Sequence, residues 1–182
     1  QGSQDGHLSQ ARLGTVPGMF YDGLSGDVLT ADGRTVRQLA PSGKLTTWLG
    51  SGAKGYTEGI GRAAEFDAVW DVVIDQESGD AYIADYNNVI RKATPGGTVG
   101  TWLIGFSQPT GLALFGGDLW VADNLNARIM SAPLSTAAAE TFASGLSHVL
   151  KLAFTPSGSG VLFVSMYLTD VVHKYVLPSA TY

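Results

Sequence analysis

Four segments of this chain repeat one another, and that repetition constrains the fold more than any other feature. The clearest copy spans residues 58–105. It holds four short β-rich runs, VWDVVID, DAYIAD, NVIRKA and TVGTWL, separated by Glu-Ser-Gly-Asp, Tyr-Asn-Asn and Pro-Gly-Gly. Short apolar and β-branched runs bounded by Gly, Asn and Pro read as hairpin-connected strands. The unit therefore predicts one four-stranded antiparallel meander. Residues 6–50 repeat it: Asp22, Gly26-Asp27 and Ala31-Asp32 fall on Asp75, Gly79-Asp80 and Ala84-Asp85 at a constant offset of 53. After one inserted residue, Arg37, Pro41 and Thr47-Trp48-Leu49 fall on Arg91, Pro95 and Thr101-Trp102-Leu103.

A third copy spans residues 108–145, where Gly117-Asp118 and Val121-Ala122-Asp123 match Gly79-Asp80 and Ile83-Ala84-Asp85. The fourth, residues 146–182, diverges most, with Met166 in place of the repeated Asp. Repeats of roughly 40–50 residues carrying four strands each are the signature of a β-propeller, because a single blade cannot bury its own apolar face. The fold class expected is all-β, a propeller of about four blades (about 5–50, 58–105, 106–145 and 146–182) forming a single domain or a fragment of a larger propeller. Innermost strands are expected at about 17–22, 69–75, 109–115 and 148–154. Second strands follow at about 27–32, 80–85, 118–123 and 161–166, and third strands at about 35–40, 88–93, 127–132 and 171–177. Outer strands are expected at about 44–49, 98–103 and 139–143, and the fourth copy has none. Residues 1–3 read as a remnant of processing or expression and are set outside the fold.

Composition narrows the function classes. The 182 residues suffice for a real core, and 24 glycines suit a turn-rich all-β chain. A net charge of −5, with Arg91-Lys92 as the nearest thing to a basic cluster, argues against nucleic-acid partners. Zero cysteines exclude disulfides and thiolate metal sites, and no apolar run approaches the roughly 18 residues of a membrane span. No signal peptide and no Asn-x-Ser/Thr sequon is visible, so the compartment stays open.

Gly-Tyr-Thr-Glu-Gly-x-Gly-x-x-Ala-x-Phe, then an apolar strand, then Gly-Asp-x-Tyr-Ile-Ala-Asp-x-Asn-Asn-x-Ile-Arg-Lys and Pro-x-Gly-x-Val, over residues 55–99, resembles the NHL-repeat family. Copies one and three match it in part and copy four weakly. The resemblance implies a β-propeller used as a protein- or ligand-binding platform. A minority of similar propellers are metal-dependent lyases or lactonases, and some NHL propellers bind RNA.

The repeated polar residues Asp85, Asn87, Asp123 and Asn126 read as structural: a residue needed once per blade serves the blade, here by capping the turn between second and third strands. Arg37 and Arg91 recur with them and are expected to pair with carboxylates of the same or next blade. Residues that depart from the repeat are the candidate binding residues. Gly18, Asp71, Gly111 and Lys151 share one register near the start of each first strand; the glycines are expected to open space there, and Asp71 and Lys151 to converge on a central channel. Trp70, His148, Tyr86 and Tyr167, with Tyr56, are candidate protein anchors, since Trp and Tyr dominate binding hot spots. Tyr86, Asn124 and Tyr167 are placed on one face of the disk, and Trp70 and His148 on the opposite face. Trp48, Trp102 and Trp120 are assigned to the core.

Gly50 to Gly55 matches G-x-G-x-x-G, but no helix follows to supply a phosphate site. His7, His148 and His173 lack metal-ligand spacing; no catalytic residue, metal or cofactor is assigned. The leading reading is a non-enzymatic platform for a protein or peptide, completed by a second copy or by further blades because the last blade lacks an outer strand. The alternative is a metal-assisted lyase or lactonase.

Overall fold

The computed structural model describes residues 3–155, 159–167 and 171–177. The chain is all-β and falls into two compact units, Gln1–Ile104 and Gly105–Tyr182, each built from two antiparallel sheets.

In the first unit, blade one comprises β1 (Gly6–His7), β2 (Met19–Tyr21), β3 (Val28–Asp32), β4 (Thr35–Leu39) and β5 (Lys44–Leu49), paired in the order β1-β5-β4-β3-β2. Blade two comprises β6 (Gly59–Ile60), a 3-10 turn at Gly61–Ala63, β7 (Val69–Ile74), β8 (Ala81–Asp85), β9 (Val89–Ala93) and β10 (Thr98–Leu103), in the order β6-β10-β9-β8-β7. In the second unit, blade three is the meander β11 (Pro109–Phe115), β12 (Asp118–Asp123), β13 (Arg128–Pro133) and β14 (Glu140–Ser144). Blade four is β15 (Val149–Phe154), β16 (Val161–Met166) and β17 (Val172–Val176).

The expected meanders are present, and blade four has three strands among the described residues. Two features were not anticipated. The segment leading into each of blades one and two adds a two-residue fifth strand to the outer edge of its own blade, Gly6 opposite Leu45 and Gly59 opposite Val99. These pairs are too short and too glycine-rich to leave a period-two pattern in the sequence.

Burial follows strand position. The second strands have a neighbour on both sides and both faces covered, so β8 and, apart from Asp118, β12 are buried throughout. Leu29, Ala31, Val36, Leu49, Phe66, Val72 and Ile83 join the core of the first unit. Trp120, Ala122, Ile129, Val149, Leu162 and Val164 join that of the second.

Each first strand of blades two to four carries a bulge at the same place, between Val69 and Asp71, Pro109 and Gly111, and Val149 and Lys151. The bulged residues are Trp70, Thr110 and Leu150. A bulge leaves its extra residue out of the ladder and re-aims its side chain.

Candidate binding surface

Three blades are wired by the same kind of polar unit around a buried carboxylate, formed where the second strand ends and the third begins; the arginine is fully buried in blades one and two and partly exposed in blade three. A carboxylate at the end of the second strand accepts a backbone N–H from the segment ahead of the first strand and faces an arginine of the third. In blade one, Asp32 accepts from Gly14 N at 2.7 Å and pairs with Arg37 at 2.8 Å. In blade two, Asp85 accepts from Asp67 N at 3.1 Å and pairs with Arg91 at 3.4 Å. In blade three, Asp123 accepts from Ser107 N at 2.7 Å and pairs with Arg128 at 2.6 Å. Asn87 donates to Asp85 and to the Gly55 carbonyl, and Asn126 donates to Asp123. The pairs are all within one blade. Arg128 completes the set; it sits one residue nearer its carboxylate than Arg91 does and escaped the sequence alignment.

Burial pushes the Asp85 carboxyl above its ordinary range, outweighing its hydrogen bonds. Those bonds, at 3.1–3.4 Å, are long, so they compensate desolvation poorly.

The residues outside this wiring are placed as follows. Trp70, at the bulge, stacks on Tyr86 with centroids 6.1 Å apart and planes at 23°. Both rings are half-buried. This corrects the expectation that Trp70 and Tyr86 lie on opposite faces. First and second strands are antiparallel, so the start of one and the residue after the other meet at the same end of the blade, and Tyr86 N donates to Ala68 O. The same geometry in blade four brings His148 beside Tyr167, whose N–H donates to the His148 carbonyl at 2.8 Å. Both are exposed, Tyr167 by 61%.

Asp71 is buried, and its carboxylate accepts the Val72 N–H. Lys151 is half-buried, with Nζ 3.4 Å from the Thr110 carbonyl. They belong to different units. The expectation that glycine at this register opens space is overturned at Gly111, where a Cβ would stand 2.5 Å from Leu150 O and 2.9 Å from Lys151 Cα. Glycine is there because the first strand of blade four runs against it.

Tyr56 is exposed, yet its hydroxyl meets Thr101 at 2.8 Å and its ring lies under the Arg91 guanidinium at 5.0 Å. It packs the entry loop of blade two. Trp120 is buried as expected, whereas Trp48 and Trp102 are only half-buried. In the glycine-rich connection the amides of Gly50, Ser51 and Gly55 are spent on the carbonyls of Gly61, Ala64 and Phe66, so no phosphate cradle forms. Among the described residues, no three His, Cys, Asp or Glu side chains converge as a metal site, and no helix is long and apolar enough to cross a membrane.

Four such blade sheets define the class as an all-β propeller. Among solved structures, a structural genomics protein of unknown function from Bacteroides thetaiotaomicron matches over 90% of this chain with a TM-score of 0.70 at 12% identity. This chain spans 47%, about half, of that protein's length. The computationally designed Ika4 protein matches over 93% of this chain and 95% of its own, with a TM-score of 0.61 and 12% identity. No family model and no curated protein matches the chain. At this identity the structural likenesses establish the fold and carry no information on activity.

Proposed function

We propose that the protein is a non-enzymatic propeller platform of NHL type that holds a protein or peptide partner, with Trp70 and Tyr86 as its anchor. The observation that carries this reading is the stacked Trp70–Tyr86 pair. Thr110 and Leu150 occupy the Trp70 position in blades three and four, and Thr110 spends its hydroxyl on Val149 O. Blade two alone puts a tryptophan there, at the bulge and half-buried. Large amphipathic rings in such a setting are what binding hot spots are made of. The likeness of residues 55–99 to NHL repeats supports the same reading, as does the confinement of the Asp–Arg units to blade architecture. In the second unit, Tyr167 and His148 are a candidate contact in their own right at the corresponding end of blade four; Asp71 and Lys151 each directly follow the bulge of their own blade.

The test replaces Tyr86 by a photo-crosslinking phenylalanine analogue in a lysate of the source cells. Crosslinks from position 86 that disappear in a Trp70→Ala background, and that are absent when the probe sits at the exposed outer-edge residue Ile60, are expected. Equal crosslinking from positions 86 and 60, or indifference to Trp70→Ala, overturns the reading.

A further inference from the structure

At the other end of blade one lies a cleft of about 290 Å³, bounded by the β2–β3 turn and by residues of blade two in the same unit. Its lining includes Asp22, Asp27, Leu29, Gln38 and Trp48, with Ile74 beyond. The repeat shows what belongs in it. By strand register, Leu29 corresponds to Tyr82, Gln38 to Lys92 and Asp27 to Asp80, and Trp48 corresponds to Trp102.

Blade two fills this place from within. The Lys92 ammonium pairs with Asp80 at 2.7 Å and lies 5.7 Å from the centroid of the Tyr82 ring, whose other neighbour is Trp102 at 4.7 Å. At blade three the place is filled with rings: the Trp120 ring centroid lies 5.0 Å from that of Phe142 of the same blade and 5.2 Å from that of Phe154 of blade four. Blade one has neither device. Leucine replaces the ring, and the shorter, neutral Gln38 donates to Asp27 where lysine would bring a charge. Asp22 is held by Leu24 N and the Ser25 hydroxyl. The cleft therefore keeps two carboxylates and an indole, with no cation among its lining residues.

We propose that this cleft binds a primary alkylammonium group, entering where blade two supplies its own Lys92. The ammonium would sit between the carboxylates of Asp22 and Asp27, and the alkyl stem would lie along Trp48, Leu29 and Ile74. Cation–π attraction and two carboxylates favour a cation with an apolar stem over a neutral one. The same chemistry is carried by a lysine side chain of a bound chain and by a free amine. The cleft lies at the opposite end of the blades from Trp70 and Tyr86, so either site can fail without the other.

The test is an NMR titration of the whole chain, following the Trp48 indole and Gln38 amide signals, with three probes: the capped tripeptide acetyl-Gly-Lys-Gly-amide, its norleucine analogue and cadaverine. Saturable shifts with the lysine peptide, at least tenfold weaker with norleucine and weakened by salt, are expected. If cadaverine binds as well as the peptide, the site reads the amine alone; if it binds tenfold more weakly, the site reads a side chain on a backbone. Gln38→Lys reproduces blade two and is expected to fold and to abolish the shifts. Equal binding of lysine and norleucine peptides, no saturable shift at tens of millimolar, or unchanged binding by Gln38→Lys overturns the proposal.

Discussion

Replacing Arg91 by methionine is the sharpest perturbation of the blade wiring. The Arg91 side chain has no exposed surface. Its guanidinium donates to Asp85, to the Glu65 and Thr57 carbonyls of the entry loop and to Gly100 O of β10, and it lies over the rings of Tyr56 and Phe66. Methionine fills much of the volume but leaves Asp85 buried and without its cation. Breaking a buried pair from one side costs about 3–5 kcal/mol. With a urea m-value of about 2 kcal/mol/M, the midpoint should fall by roughly 2 M. The assay is urea unfolding followed by tryptophan fluorescence, in which Trp48, Trp70 and Trp102 report on the first unit and Trp120 on the second. The double variant Asp85→Asn/Arg91→Met should recover at least half of the loss, since removing both charges leaves none stranded. The deficit should also shrink with acidity. The Asp85 carboxyl is raised in the folded state, so its burial penalty is absent below its unfolded pKa and appears as pH rises through the folded value. A loss under about 1 kcal/mol at pH 7, or a double variant no better than the single, would refute the view of Asp85–Arg91 as the tie between entry loop and blade.

Gly111→Ala should cost about 1–3 kcal/mol, because the backbone of Leu150 and Lys151 has to retreat; an unchanged urea midpoint would show that the two strands separate freely. The Ser25 hydroxyl, with the Leu24 amide, holds the Asp22 carboxyl below its usual range; at Asp75 burial works the other way but is outweighed by Ser78 and the Glu77 amide. Lowered folded values mean stability present above the unfolded pKa and lost as pH falls through the folded one. Asp75→Asn should therefore lower stability at pH 7, by no more than about 1 kcal/mol for so exposed a turn, and the deficit should shrink as pH falls through the folded value; a deficit that does not change with pH would point to lost turn geometry instead of charge.

The blades were legible because the strands are short, rich in β-branched residues and punctuated by turns that recur in register: Asp-x-x-Ser-Gly-Asp appears at residues 22–27 and again at 75–80. Every expected strand is present within a residue or two at its ends. What escaped was set by tertiary approach. Gly6–His7 and Gly59–Ile60 are strands only because an outer edge lies beside them. Gly111 looked like open space because a sequence does not show the neighbour whose carbonyl takes the place of its Cβ. Trp70 and Tyr86 are sixteen positions apart, and their stacking follows from the antiparallel return of β8 onto the bulge in β7. The blade-one cleft is visible in the sequence as Leu29 and Gln38 standing where Tyr82 and Lys92 stand in the next copy, but only the structure shows that the exchange leaves a cavity.

The central claim is that Trp70 serves a partner while the Asp–Arg units serve the fold. It is tested most directly by measuring crosslinking from position 86 and the urea midpoint together for Trp70→Ala. Loss of the crosslinks with a stability change under about 1 kcal/mol, as expected for a side chain outside the packed core, is the predicted result. Retained crosslinks, or a collapse in stability comparable to that of Arg91→Met, would contradict it.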